Sequence, residues 1–164
     1  MVVPEVMRVA QRQLQLNGKL FVRAVRDITD EQGTALVHPA INPAHWVAGH
    51  VLASRYEMLA AWSGQAGPFA FAAAYGAGKA LTASTQYPLI SALLEDWKVV
   101  APQVEAAVLQ LPLEVLDAPA PYTLPTGEQT QRGLLAFWLQ HESYHIGQLS
   151  VIHQLLGHGP IGYT

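Results

Sequence analysis

Cysteine is absent from all 164 residues. Its absence excludes disulfides, thiolate metal sites and a cysteine nucleophile. Charge is also scarce, with nine Lys and Arg, twelve Asp and Glu, and a formal net charge of −3. The basic residues are scattered and form no run that could neutralise phosphates, so nucleic-acid binding lacks an electrostatic basis. Long apolar runs are missing too. The richest windows, 134–139 and 68–75, fall far short of the roughly 18 continuous apolar residues of a membrane span, and no membrane partner is expected. Residues 1–10 carry Glu5 and Arg8 and lack a basic segment leading into an apolar block. No signal peptide is therefore expected, and the cytoplasm is the default location. No period-2 strand pattern of useful length, internal repeat or charge block occurs.

The hydrophobic fraction is high at 51%, which rules out disorder. A chain of this size suits a single domain, 1–164, and buries roughly 70% of its unfolded surface. It needs no metal to rescue a small core. A small charged fraction also favours a homo-oligomer, which hides apolar surface.

Four helical segments are predicted. The first spans about 4 to 28, with Val6, Val9, Leu14, Phe21, Val25 and Ile28 near helical spacing and Gly18 as a weak point. The second opens at Asn42-Pro43, an N-cap followed by a first-turn proline, and ends near Trp62. A loop rich in Gly, Ala and Ser follows over 63–86, with a short helix around 69–75. The third opens at Tyr87-Pro88, stops before Pro112, and should kink or break at Pro102. Residues 113–125 read as an extended crossover. The fourth opens at Thr126-Gly127-Glu128-Gln129, read as a capping box, and stops at Leu156-Gly157. The fold class is all-α, a four-helix bundle with long crossover connections.

Chemistry concentrates on two helices. Stepping by fours and threes along the fourth from Leu134 gives Trp138, His141, His145, Gln148, Ile152 and Leu155, an inward seam with a polar centre. Along the second, Trp46, His50, Ala53 and Glu57 share a stripe. Histidines at i and i+4 project to one side, within reach of one ion. A third from a facing helix completes three-nitrogen coordination and leaves a position open, as in catalytic zinc sites. His50, His141 and His145 are the expected metal ligands. His38, His45, His153 and His158 fit solvent exposure or ordinary hydrogen bonding.

The run His141-Glu142-Ser143-Tyr144-His145 also matches the H-E-x-x-H pattern of zinc peptidases. No Asp or Glu follows Glu142, and the longer pattern finds Gln148 and Val151 where a glycine and a third histidine are needed. Glu142 is expected about 100° off the seam.

Trp46-Val47-Ala48-Gly49-His50-Val51, with His141 to Gln148 reading His-x3-His-x-Gly-Gln and the closing Leu155-Leu156-Gly157, resembles the DinB-like (DinB/YfiT) superfamily of bacterial metalloproteins. The resemblance covers nearly the whole chain in helix order. It implies a four-helix bundle, frequent dimers, and a divalent metal, commonly zinc or nickel, with manganese or iron as further candidates. It places that metal on His50, His141 and His145. Some relatives transfer small thiols such as bacillithiol, mycothiol or glutathione. The expected function is thus a metal-dependent transferase using such a thiol in stress or detoxification, its electrophile lying against Trp46, Trp138 and Tyr144. The alternatives are a metal-dependent hydrolase and a non-catalytic metal-binding stress protein. Glu57, Gln148 and Tyr144 are the candidate catalytic residues. Glu57 could serve as a base or orient an imidazole. Gln148 could hold water or satisfy a backbone group.

Overall fold

A computed structural model describes residues 3–64, 69, 72–76, 78–79 and 87–163. The described chain is all-α, and no strand forms among these residues. The long helices are α1 (Glu5–Val25), α3 (Ala44–Ser63), α4 (Ile90–Gln110) and α6 (Gln131–Leu155). Two short ones, α2 (Asp30–Thr34) and α5 (Leu113–Leu116), and a 3-10 turn at Ala72–Ala74 lie between them. α1 packs on α4 and α6, and α3 packs on the same two, so the four long helices close a ring around one core. No described helix is long and apolar enough to cross a membrane.

The core stripe of α1 is Met7, Ala10, Leu14, Asn17, Phe21 and Ala24, at alternating steps of three and four. Val6 and Val9, expected inside, are exposed. Gly18 does not interrupt α1; an added Cβ there would meet Trp97 at an ordinary contact of 3.9 Å, and the Trp97 ring stacks on Phe21 with centroids 4.0 Å apart. α2 was not expected. Thr29 and Gln32 form a reciprocal capping box there, and Asp30 Oδ1 accepts from the Ile90 amide at the start of α4.

α3 begins one residue later than expected, with Pro43 as its N-cap. Every residue from Ala44 to Arg55 is buried, because neighbours cover this helix on all sides. It stops at Gly64, whose φ of 65° is a left-handed cap that glycine adopts without strain. α4 runs unbroken through Pro102. Pro102 is exposed, so the hydrogen bond it removes faces solvent rather than the core.

The crossover is not wholly extended, since α5 makes one turn that buries Leu116. α6 starts later than the expected box at Thr126. Gly127 has a φ of 80°, and the Ala120 amide donates to the Gln129 carbonyl in an isolated antiparallel bridge region. Both features hold 127–130 out of the helix. Thr130 is the true N-cap, accepting from the Gly133 amide at 3.2 Å. The end at Leu156-Gly157 is as expected.

Candidate metal centre

His141 and His145, one turn apart on α6, meet His50 from α3. His50 Nε2 lies 3.0 Å from His141 Nε2, which lies 3.2 Å from His145 Nε2. The candidate ligand atoms of all three fall within 4.8 Å of one another, so they could hold a metal ion.

Proton counting tests the fit. The second ring nitrogen of His50, Nδ1, lies 2.7 Å from the carbonyl oxygen of Tyr75, which can only accept. That nitrogen therefore carries the proton, and Nε2 of neutral His50 is a bare lone pair. His145 Nδ1 donates likewise to Gln148 Oε1 at 2.7 Å, while Gln148 Nε2 donates to the Tyr144 hydroxyl at 3.4 Å. Two lone pairs thus point at His141 Nε2, which can offer one proton at most. At least one of the two short contacts has no hydrogen in it. His141 Nδ1 is buried without a partner among the described residues. A cation at the shared focus resolves the conflict, because three neutral imidazole nitrogens suit a divalent metal ion.

Electrostatics favour neutral His141 and His145. Burial, then the neighbouring His145 and His50, pulls the His141 imidazole down to about 4. Burial also lowers His145, against the Gln148 bond that favours its charged form. Neutral imidazole is the ligating form.

The buried stripe of α6 is broader than the expected seam and turned to one side of it. Leu134, Trp138 and Ile152 are buried as expected, Leu135, Glu142, Ile146 and Leu149 join them, and Leu155 is exposed. His141 and His145 sit half-buried on the shoulder of this stripe. Glu142, placed off the seam by sequence reasoning, is wholly buried. Its carboxylate accepts from Arg55 Nε at 2.5 Å and Nη2 at 2.7 Å. Arg55 Nη2 also donates to the Leu14 carbonyl, and its guanidinium lies 4.7 Å over the Trp97 ring. This bidentate pair joins α3 and α6 beside the ligands they carry. Its sequence trace is the one Arg, Lys, Asp or Glu in the buried run of α3 from Ala44 to Arg55.

Sequence reasoning also missed Tyr75 and Gly49. Tyr75 is fully buried, and its ring lies against Gly49, where a Cβ would stand 2.2 Å from ring carbon Cε1. The hydroxyl donates to His45 Nδ1 at 3.2 Å, and His45 Nε2 donates to the Pro88 carbonyl. His45 is therefore a buried, hydrogen-bonded residue of the support around the centre. Among the other histidines, His38 is exposed and accepts from the Ala40 amide. His153 donates to the Gly159 carbonyl, and His158 bonds Gln32.

The candidate catalytic residues separate. A cavity of about 190 Å³ adjoins the centre, lined by His50, His141, Glu57, Tyr122, Phe137 and Trp138 among others. Glu57 lies at its mouth, exposed on one side and without a hydrogen bond to any imidazole, and partial desolvation raises its carboxyl against the pull of His50. Gln148 holds the outer nitrogen of His145 rather than a backbone group. Tyr144 is exposed, edge-on to the His145 ring at 5.0 Å. Trp46 stacks on His50 with centroids 4.9 Å apart. Of Trp46, Trp138 and Tyr144, only Trp138 lines this cavity among the described residues.

Residues 13–149 match the family model described as the DinB superfamily. The fold is similar to that of the conserved protein of locus from Enterococcus faecalis, known from its crystal structure. The TM-score is 0.70 at 12% identity, over 93% of this chain and 98% of that one. No curated protein matches the chain.

Proposed function

This chain belongs to the DinB superfamily, and from that premise we propose that it is a metal-dependent transferase acting with a low-molecular-weight thiol of the bacillithiol type, on electrophiles met in stress or detoxification. The carrying observation is the convergence of three Nε2 atoms with too few protons, at the edge of a cavity. When bound at His50, His141 and His145, a zinc or nickel ion would lower the pKa of a thiol and make it nucleophilic near neutral pH. The chain has no cysteine, so the sulfur must come from a co-substrate. Tyr75 and Gln148 fix the outer nitrogens of two ligands, and Phe137 and Trp138 exclude water from one wall of the cavity. The same reading takes the protein as a cytoplasmic homodimer, the second point supported by its 13% charged fraction.

Glu57 favours a second reading, a hydrolase. Its carboxyl faces the cavity unpaired and is placed to take a proton from a water there. One experiment separates the two. Cobalt-substituted protein is titrated with bacillithiol, mycothiol and glutathione. The transferase reading expects at least one thiol to change the cobalt spectrum and slow chelation, and transfer to require the metal. If no thiol perturbs the spectrum, that reading fails and hydrolysis leads.

A further inference from the structure

We propose that the cavity beside the histidines recognises the ammonium end of a short, amine-bearing ligand, with Glu57 as its counter-charge and Tyr122, Phe137 and Trp138 as its aromatic walls. The thiol identity of the ligand's other end rests on the transferase reading; the ammonium end does not.

Charge carries the argument. Glu57 is the one Asp, Glu, Lys or Arg among the lining residues, and among the described residues it has no ion pair or hydrogen bond. The residues outside the described set include no lysine or arginine that could supply a partner. Lys79, on the nearby turn, is exposed and does not line the cavity. Glu57 is an exposed residue at the mouth of the cavity, where partial desolvation raises its carboxyl and the nearest opposing pull is that of His50, seven residues back on α3. At the Glu57 end of the cavity, away from the histidines, an anionic group would meet like charge. A cation would meet a carboxylate and aromatic faces, the usual elements of ammonium recognition.

Geometry limits the ligand. Glu57 stands seven residues after His50, two turns and roughly 10 Å along α3. The cavity, about 190 Å³, lies below the roughly 300 Å³ at which drug-sized pockets begin. The fit is a small molecule, or one arm of a larger one, with a metal-facing donor at one end and an amine at the other.

The test uses full-length cobalt-loaded protein and two probe series. One is 2-aminoethanethiol, 2-mercaptoethanol and mercaptoacetate. The other is histamine, 4-methylimidazole and imidazole-4-acetate. Affinities are read from the cobalt spectrum for wild type and Glu57→Gln, and the wild-type-to-variant ratio cancels differences in donor pKa. Loss of the carboxylate should cut the preference for amine over carboxylate by about ten-fold. Tyr122→Leu should weaken the amine probes several-fold and leave the uncharged ones unchanged. A preference shared equally by wild type and Glu57→Gln in both series overturns the proposal. If no thiol reaches the cobalt while the imidazoles show the ten-fold change, the ammonium site stands and the thiol reading fails.

Discussion

Replacing Gly49 by alanine tests the support around the centre. In an open mid-helix position this change stabilises by about 1 kcal/mol. Here the added Cβ would lie 2.2, 2.4 and 2.5 Å from three carbons of the Tyr75 ring. Carbon atoms settle at about 3.5–4.0 Å, so the ring must retreat by roughly 1.5 Å. It has little freedom to do so, being fully buried with its hydroxyl on His45. Overpacking of this kind costs about 1–3 kcal/mol, which exceeds the helical gain. The Tyr75 carbonyl moves with its ring, and the His50 Nδ1 bond goes with it. Losing an outer partner of a ligand lowers metal affinity about 10–100-fold. Urea denaturation of the metal-free protein and chelator competition measure the two effects. Gly147→Ala is the control, because nothing lies within 4 Å of a Cβ there, and it should stabilise by up to about 1 kcal/mol. A Gly49→Ala protein as stable and as tight for metal as wild type would refute the reasoning.

Other predictions follow from the same contacts. Arg55→Ala or Glu142→Ala strands a buried charge and should cost about 3–5 kcal/mol in denaturant titrations, whereas Arg55→Met with Glu142→Leu should stay near wild type. His141 is lowered from an ordinary 6.5 to about 4 in the folded protein, and burial lowers His45, His145 and His153 too. The unfolded chain therefore binds protons first. Metal-free protein should hold its full stability above about pH 6.5 and lose it progressively toward pH 4, as read by urea midpoints across that range. Thr130→Ala removes the N-cap of α6 and should cost about 1 kcal/mol, while Thr126→Ala should cost well under half of that in the same assay.

The long helices were legible because apolar spacing and terminal signals recur along them, and the His141/His145 pair because i, i+4 spacing is local. The phase of α6 was not. A glutamate reads as solvent-facing, and the arginine that neutralises Glu142 lies 87 residues away in the chain. Rotating the stripe to include Glu142 leaves the two histidines on its shoulder, where they reach both His50 and the cavity. His45 was set aside by a one-face argument that fails for a helix covered on every side. Gly49 and Tyr75 were invisible because their contact depends on where the 72–76 segment packs. The true start of α6 depends on a bridge to the crossover, which no window of local sequence contains.

Metal content tests the central claim most directly. Protein purified without an affinity tag, as wild type and as His50→Ala, His141→Ala, His145→Ala and His153→Ala, is reconstituted, desalted and analysed by elemental mass spectrometry. Wild type and His153→Ala should retain a stoichiometric divalent ion, and the other three should lose it while remaining helical by circular dichroism. Equal metal in all five proteins, or none in correctly folded wild type, would contradict the assignment of His50, His141 and His145.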